Sequence, residues 1–398
     1  MSDGINENIE TEYHRIKSLS DFDLDYGELE DEFEPLVELA AMIAGTQISV
    51  INLIDNYFQW TVASKSIKLL QMPREDSVCD RTIRSRKPLE ILNLDKDEQF
   101  KHQEFSKGKS GFSYYLGIPL IVDSGDVIGA LCVLDKTPKT ISEKSKIMLG
   151  LVASEIVKKL ELRKELDRKI FSLNEAVKTK NQLAHDVRGP INGITGLAEL
   201  AETEDSSDIE KLQYFKLIKE SGNSILELTN DILQNAKSID EVKTSYINSK
   251  QLADRLMELY RLPAESKNID LQVKTNPHNR DYTFSRRKLF SIFGNLISNA
   301  IKFTPSNGWI KISLDIADLE GKKHLIFCIV DSGMGVSEDI LEDFREKKLK
   351  SSLGTSGEKG FGLGLRLVVE LVHDLAGEID IISGKDIGTT IKLSLPLK

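Results

Sequence analysis

The residue types around His185 suit nucleophilic transfer of a charged group. Asp186 follows His185 directly and could hold one ring nitrogen protonated, which leaves the other nitrogen as a neutral nucleophile. Arg188 adds a fixed positive charge of the kind that stabilises a developing phosphoryl charge. Pro190 has no backbone N–H and predicts a bend one turn beyond the histidine. On these residues alone, a surface histidine near a helix kink explains the pattern as well.

A second group of polar residues lies on a predicted helix, Arg287–Phe303. Asn295 and Asn299 are four residues apart and therefore share one helical face. Neutral amide oxygens suit Mg²⁺ that is also held by phosphates, and Lys302, one turn along, can meet those phosphates. Two helix caps or two surface amides are the ordinary alternative.

Asp331 ends a predicted buried strand, Leu325–Val330. A carboxylate at this point can accept a hydrogen bond from the exocyclic amine of adenine, whereas guanine presents a carbonyl that the carboxylate repels. Gly333 and Gly335 follow and allow the backbone to approach a ring closely. Thr389 opens the last predicted strand and could support Asp331 through a water.

Three glycines, Gly360, Gly362 and Gly364, lead directly into another predicted helix. A glycine-rich turn at a helix N-terminus forms an anion site that can hold phosphates. No strand comes immediately before these glycines, which argues against a Rossmann turn. The polar segment Phe344–Lys359 before them predicts a mobile lid, and its Arg345 is a candidate contact for a terminal phosphate.

In the order NLISNAIKFT, DSGMGV, GFGLGL and GTT, these segments resemble the nucleotide-binding boxes of the gyrase, mismatch-repair and histidine-kinase ATPase superfamily over residues 247–398. The segment HDVRGPINGI is similar to the phospho-acceptor box of bacterial sensor histidine kinases. The resemblance implies that ATP and Mg²⁺ bind in the C-terminal domain, with Asn299 as metal ligand. It also implies that His185 accepts the phosphoryl group.

Two positions depart from the patterns of these families. Hydrolysing members of the superfamily carry a glutamate where Asn295 stands, and an amide cannot activate water, so we expect ATP to be held for transfer. Many kinases carry Thr or Asn four positions after the histidine, where this chain has Gly189, which leaves phosphatase activity open.

A second His-Asp pair, His373-Asp374, lies near a predicted helix end, where a cation is the ordinary explanation.

A heptad seam surrounds His185. Apolar residues recur at alternating steps of four and three, broken only at Lys180, and such a pattern needs a partner helix. They are Leu166, Ile170, Leu173, Val177, Ala184, Val187, Ile191, Ile194, Ala198 and Ala201. The pattern predicts a long continuous helix with a coiled-coil signalling segment at 151–178 and a two-helix dimerisation and phosphotransfer hairpin at 179–240. Two such hairpins, each with the polar loop Glu202–Asp208, would form a dimeric four-helix bundle.

Residues 20–150 have the pattern of an α+β domain with an antiparallel sheet covered on one side, preceded by a solvated N-terminal arm at 1–19. The segments ISVINLID, PREDSVCDRTI, LDKDEQF, YYLGIPL and VIGALCVLD resemble a GAF domain, a module that senses small molecules or redox state. The ligand stays unknown. Cys79 is predicted to be a buried thiol, because no histidine follows it as a bilin attachment site would require.

Composition narrows the function classes further. The net charge of −10 argues against nucleic-acid binding, and no apolar run reaches the 18 residues of a membrane span. Three cysteines without a CxxC motif indicate a reducing compartment. We therefore expect a multidomain, cytoplasmic, homodimeric sensor histidine kinase with an α/β-sandwich ATP-binding domain at 247–398. It would phosphorylate His185 and pass the phosphate to a separate response regulator. The alternatives are an ATP-hydrolysing conformational switch and a dimeric sensor with impaired kinase activity.

Overall fold

The computed structural model describes residues 2–67, 71–107, 111–202, 212–223, 226, 246–279, 282–286, 288–319, 321–335, 363–384 and 387–397, apart from the side chains of 2–8, 104, 171, 174–186 and 202. The chain forms two compact units. One unit combines Met1–Lys164 with Ser245–Lys398 and contains the sheets described below. The other unit is Glu165–Thr244 and is helical where it is described.

An antiparallel sheet of six strands, in the order β3-β2-β1-β6-β5-β4, forms the centre of the N-terminal domain. The strands are β1 (Ile48–Ile54), β2 (Phe58–Lys65), β3 (Gln71–Pro73), β4 (Leu89–Ile91), β5 (Tyr114–Ile121) and β6 (Val127–Asp135). The hairpin β1–β2 turns at Asp55-Asn56-Tyr57. β-Branched residues between turn residues predict strands at 48–54, 58–63, 89–92, 115–122 and 127–134, so every strand except β3 is predicted to within two residues.

Both faces of this sheet are buried, so the expectation of a sheet covered on one side is wrong. On one face, helix α2 (Glu30–Ala44) packs against β1 and β2 through residues such as Phe33. On the other face, helix α3 (Val78–Ser85) contributes Cys79 to a second core. The loop after β4 adds the fully buried Phe100 to this core, although its polar sequence gave no sign of burial.

The expected solvated arm at residues 1–19 is instead a helix, α1 (Ser2–Ser20). Its residues Tyr13, Ile16 and Leu19 are buried in the main core. Steps of three residues place these side chains on one helical face, which gives the helix an apolar stripe. Only this narrow stripe is apolar, and the many polar residues between its members gave the segment the composition of a solvated tail.

A single helix of 60 residues, α4 (Glu143–Glu202), confirms the predicted continuous helix. One face of its N-terminal part is buried in the core of the N-terminal domain, through Leu149, Val152, Ala153, Ile156, Val157 and Leu160. Further along, the seam residues Leu166 and Leu173 are 54% and 63% exposed in the single chain. The helix continues through Pro190, and the predicted bend there stays a prediction.

Residues 212–223 are also helical and fall within the predicted second helix of the hairpin. Their apolar side chains Leu212 and Phe215 are exposed in the single chain. The loop Glu202–Asp208 beyond its first residue, and the remainder of that helix, lie outside the described residues.

The C-terminal domain is an α/β sandwich, as predicted, with a sheet of five strands in the order β12-β13-β11-β10-β8. Its strands are β8 (Asp270–Thr275), β10 (Trp309–Leu319), β11 (Lys322–Asp331), β12 (Glu378–Gly384) and β13 (Gly388–Pro396), with a separate pair β7 (Tyr246–Asn248) and β9 (Thr283–Ser285). The helices are α5 (Ser249–Ser266), α6 (Leu289–Phe303) and α7 (Leu363–Asp374). Phe293 of α6 stacks on Phe327 of β11 with ring centroids 4.1 Å apart, which joins the helical layer to the sheet.

Candidate nucleotide site

Helix α6 carries the predicted metal-binding residues Asn295 and Asn299 on its less buried face, and the predicted phosphate-binding residue Lys302 is buried near its end. Its opposite face, with Phe293 and Leu296, is fully buried. Asn295 and Asn299 are half-buried, and Nδ2 of Asn295 donates to the carbonyl oxygen of Ser291 at 2.7 Å. Because its nitrogen is engaged with the backbone, Asn295 offers its amide oxygen to a neighbour.

The first turn of α7 lies directly against Asn295. A Cβ atom at Gly364 would stand 2.6 Å from Oδ1 of Asn295, so a glycine is needed for this approach. Backbone N–H groups in the first turn of a helix have no intrahelical acceptor and can bind anions. The last glycine of the predicted phosphate box and the asparagine face of α6 therefore share one surface. Gly360, Gly362 and Arg345 lie outside the described residues.

Asp331 lies at the end of β11 and is 8% exposed. The backbone N–H groups of Gly333 and Thr389 donate to its Oδ1 at 2.8 and 3.2 Å. Burial raises the pKa of this carboxyl group, and the two hydrogen bonds partly oppose the rise. Within the described part of the chain both bonds fall on Oδ1, so Oδ2 stays available as an acceptor for a ligand.

The turn after Asp331 depends on glycine and on a direct contact from the last strand. Gly335 has a φ of 70°, and a Cβ there would lie 1.9 Å from the carbonyl oxygen of Gly384. Thr389 reaches Asp331 through its own backbone N–H. Its hydroxyl group instead lies 3.0 Å from the hydroxyl of Ser383. Thr389 thus supports Asp331 directly through its backbone, and support through a water stays a prediction.

The turn of the β1–β2 hairpin, which belongs to the N-terminal domain, covers part of this surface. The Tyr57 hydroxyl donates to Oδ1 of Asn299. The ammonium Nζ of the buried Lys302 lies 5.4 Å from the centre of the Tyr57 ring, a cation–π contact. Asn56 is 2% exposed, and its Nδ2 lies 3.0 Å from the position that a Cβ on Gly364 would take. The hairpin turn therefore contacts both the asparagine face of α6 and the first turn of α7.

Charged contacts outside the nucleotide surface hold the two domains together. Asp25 is buried and accepts hydrogen bonds of 2.7 to 2.9 Å from the guanidinium of Arg255 in α5. The ammonium of Lys288, just before α6, lies 2.9 Å from Asp21. Trp60 of β2 packs edge-on against Tyr260 of α5 with ring centroids 5.6 Å apart. This combination of a buried ion pair, a partly exposed ion pair and aromatic packing is typical of a formed interface.

The phospho-acceptor segment lies within α4. The backbone at His185 and Asp186 is helical, as the heptad pattern predicts, and their side chains are outside the described set. Arg188 is exposed to solvent. The helical position agrees with the prediction, and the roles of these three residues stay predictions.

Sequence reasoning did not assign Asn56 and Tyr57 to the nucleotide surface. It identified Asp55-Asn56 only as a turn between two strands. Tyr57 and Asn299 are 242 residues apart in the chain, and no local pattern reports such a contact. A tyrosine at the tip of a polar hairpin was the available signal, because an aromatic ring in that position often packs on another surface.

Three family models match the chain in sequence. They are the GAF domain at residues 28–158, the His Kinase A (phospho-acceptor) domain at 181–241, and the histidine kinase-, DNA gyrase B- and HSP90-like ATPase at 285–398. The described helices include none with the length and apolar character that crossing a membrane requires.

Curated relatives match about half of the chain. The autoinducer 2 sensor kinase/phosphatase LuxQ of Vibrio parahaemolyticus is 31% identical over 227 residues, which cover 54% of this chain and 26% of LuxQ. The histidine protein kinase DivJ of Caulobacter vibrioides is 28% identical over 220 residues, covering 54% of this chain and 36% of DivJ. The chain thus spans about a quarter to a third of the length of these relatives.

Solved structures with local similarity include two kinases. The catalytic domain of histidine kinase ThkA matches with a TM-score of 0.32 and 23% identity over 39% of this chain and 96% of that chain. Full-length ShkA in complex with AMPPNP matches with a TM-score of 0.32 and 26% identity over 55% of this chain and 46% of that chain.

The C-terminal domain is thus an ATPase domain of the histidine kinase, gyrase B and HSP90 type, with Asp331 at its strand end and asparagines on α6. It follows a phospho-acceptor domain, which in turn follows a GAF domain. The chain thus contains these three domains in an order that it shares with sensor histidine kinases, to which its curated relatives belong by name.

Proposed function

We propose that the protein is an ATP-dependent protein-histidine kinase that phosphorylates its own His185 under the control of its GAF domain. One observation carries the proposal. Asp331 with a free acceptor oxygen, the asparagine face and the first turn of α7 all lie around α6, in a domain that follows a phospho-acceptor box. ATP with Mg²⁺ supplies the phosphoryl group in this scheme.

The residues around α6 have side chains that fit a bound nucleotide. Oδ2 of Asp331 accepts the amino group of adenine, which selects ATP over GTP. The amide oxygen of Asn299 suits Mg²⁺, and Asn295 supports it. Lys302 and the first turn of α7 face the negative phosphates. Asn295 cannot act as a base, and its presence favours phosphoryl transfer over hydrolysis.

At the acceptor, a ring nitrogen of His185 forms a bond to the γ-phosphorus while the bond from that phosphorus to the bridging oxygen of ADP breaks. Asp186 keeps the imidazole neutral and oriented by accepting from its other nitrogen. Arg188, which is exposed, can reach the transferring oxygens and stabilise their charge. The phosphoryl group then passes to an aspartate on a separate response regulator.

The active form is proposed to be a homodimer joined through the coiled coil at 151–178 and the hairpin at 179–240. Leu166, Leu173 and Phe215 support this, because apolar side chains exposed at heptad spacing need a partner surface. Sedimentation of the purified chain should give a dimer, and Leu173→Lys should shift it toward monomer. The cytoplasmic location stays a prediction from the sequence.

The kinase proposal is tested with ATP labelled on its γ-phosphate, in the presence and absence of Mg²⁺. Label should enter the full chain only with Mg²⁺, be lost in acid and survive base, as phosphohistidine does. His185→Ala should abolish labelling. The matched control is His373→Ala, because His373 is also followed by aspartate but lies at the end of α7 and is exposed.

Two results would count against the kinase. Acid-stable label, or label that persists in His185→Ala, would place the phosphate elsewhere. Steady release of inorganic phosphate without labelled protein would identify the ATP-hydrolysing switch instead.

A further inference from the structure

Two thiols meet inside the N-terminal domain, on the face of the sheet that α3 covers. Cys79 on α3 and Cys132 on β6 are both buried, and their Sγ atoms are 3.1 Å apart. A disulfide needs about 2.0 Å, so a movement of about 1 Å would allow the bond. The two residues are 53 positions apart in the chain, and the fold alone brings them together.

Polar groups around Cys79 favour its reactive form. Nδ2 of Asn52 donates to its Sγ at 3.1 Å, and the Tyr115 hydroxyl donates at 3.5 Å. Cys79 also lies in the first turn of α3, which begins after the N-cap Ser77, where a thiolate is stabilised. Burial would raise the pKa of Cys79, but hydrogen bonds, from Cys132 first and then Tyr115 and Asn52, bring its pKa below the usual value. Burial raises the pKa of Cys132, which stays a thiol.

The two thiols line a cavity of about 70 Å³. Its lining is mostly apolar, with Phe112 and Ile67 among the lining residues, and the donors of Asn52 and Tyr115 lie beside the sulfur atoms. The cavity therefore suits a small molecule with an apolar body whose polar end meets the sulfur atoms.

We propose that Cys79 and Cys132 form a two-electron redox site whose substrate is a small hydroperoxide. The Cys79 thiolate attacks the terminal oxygen, the O–O bond breaks, and Cys79 becomes a sulfenic acid while the alkoxide leaves as an alcohol with the proton that Cys79 gave up. The Cys132 thiol then attacks the Cys79 sulfur, and water leaves. Two thiols are oxidised to one disulfide, and one hydroperoxide is reduced to alcohol and water.

Hydrogen peroxide is the probe, applied to the full chain. Thiols counted after denaturation should fall from three to one and return to three with dithiothreitol; Cys328, half-buried on β11, is the internal reference. Peptide mass spectrometry should find Cys79 linked to Cys132. In Cys132→Ser, Cys79 should form a sulfenic acid that dimedone traps. In Cys79→Ser, oxidation of Cys132 should slow at least tenfold.

Three results would overturn this redox site: three thiols after peroxide treatment, a disulfide between two chains, or equal oxidation rates for Cys132 in the wild type and in Cys79→Ser. Cys132→Ser keeps the test valid if Cys79→Ser fails to fold, because dimedone labelling of Cys79 is then decisive.

A separate observation concerns the hairpin turn on the nucleotide surface. Tyr57 bonds to the same oxygen of Asn299 that a metal would use, and its ring covers Lys302. Asn56 lies beside Gly364, in the space next to the first turn of α7. The amide of Asn56 is buried and has no hydrogen-bond partner in the described part of the chain, which lowers the stability of the covered arrangement.

From this geometry, and resting on the proposed function, we infer that the β1–β2 hairpin is a built-in cover that must lift before Asn299 and Lys302 can bind Mg²⁺ and phosphates. The ion pair of Asp25 with Arg255 holds the domains together away from the nucleotide surface. Removing the Tyr57 side chain from the hairpin turn, or breaking this ion pair, should therefore expose the nucleotide surface.

The test measures binding of AMPPNP with Mg²⁺ by calorimetry, together with labelling by ATP. Tyr57→Ala should bind AMPPNP at least tenfold more tightly than the wild type, with Tyr57→Phe in between. Arg255→Ala should change affinity in the same direction. The exposed Tyr246 on β7 supplies the control, and Tyr246→Ala should bind as the wild type does.

Unchanged or weaker AMPPNP binding in both Tyr57→Ala and Arg255→Ala would overturn the cover. Tighter binding without any phosphohistidine would support the cover and refute the kinase, so the two failures can be distinguished.

Discussion

Asp55 and Asp331 end strands of the two different sheets and have the same local geometry. Each uses Oδ1 to accept the backbone N–H two residues further along, from Tyr57 at 2.7 Å and from Gly333 at 2.8 Å. Burial raises the pKa of both carboxyl groups. They differ in the second oxygen. Oδ2 of Asp55 accepts from the indole of Trp60 at 2.6 Å, whereas Oδ2 of Asp331 has no donor in the described ranges.

The difference distinguishes a structural carboxylate from one that binds a ligand. A buried carboxylate with a donor on each oxygen has its hydrogen bonds met within the fold, and its role is to fix the hairpin turn. A buried carboxylate with one oxygen that has no donor has lost hydration free energy without a compensating hydrogen bond, and a ligand with a donor group can supply that bond. Sequence alone does not separate the two, because both are an aspartate after an apolar strand.

The largest expected effect comes from replacing the oxygen of Asp331 that has no hydrogen-bond donor. In Asp331→Asn the amide oxygen can keep the backbone bonds, and the new NH₂ group faces the adenine amine. We expect ATP affinity to fall about 30-fold, roughly 2 kcal/mol, with little loss of folding stability. Calorimetry with ATP and with GTP measures this, and the preference for ATP should shrink. Equal ATP affinity in the two proteins would remove Asp331 from the nucleotide site.

A smaller effect is expected when Oδ2 of Asp55 loses its hydrogen-bond donor. Trp60→Phe deletes the indole donor and should destabilise the N-terminal domain by about 1–3 kcal/mol, because a buried acceptor loses its partner. Thermal unfolding followed by circular dichroism measures the change. Trp309→Phe is the matched control, since the Trp309 side chain is 37% exposed, and it should change stability by no more than about 0.5 kcal/mol. Equal melting of the two variants would contradict the structural role of Asp55.

The smallest effect is a pH dependence. Because the pKa of Asp331 is raised above 3.8 in the fold, acidification should neutralise it, and weaken ATP binding, at a higher pH than for an ordinary aspartate. The sign for stability is opposite. A raised pKa favours folding when the group is neutral, at low pH, and this contribution is lost as pH rises through the folded-state pKa. ATP affinity measured against pH should therefore show a transition that Asp331→Asn lacks. The same transition in both proteins would assign it to another group.

Local patterns were sufficient for much of the fold and for part of the site. The strands of the N-terminal sheet, the long α4 helix and the α6 helix with Asn295 and Asn299 follow from periodicity and turn residues. The position of Asp331 at the end of a strand is predictable from the apolar run before it, although its open oxygen is not. These features depend only on residues that are neighbours in the chain.

Features that depend on distant residues were not predictable. The apolar stripe of α1 is buried only because it packs into a core formed by distant residues. Cys79 and Cys132 meet only because α3 packs against β6. The contact of Tyr57 with Asn299 depends on how two domains dock. In each case the decisive partner lies far away in sequence, where spacing carries no information.

The pairing of β1 with β2 is irregular at one point between the end of the hairpin near Cys79 and its turn at Asp55-Asn56-Tyr57. Ile51 pairs with Ala63, but Asn52 pairs with Thr61, so β2 contains one extra residue next to the asparagine that contacts Cys79. An extra residue of this kind bends the strand and increases its local twist. The bulge beside Asn52 therefore helps to set the direction in which the hairpin turn, with Tyr57, leaves the sheet.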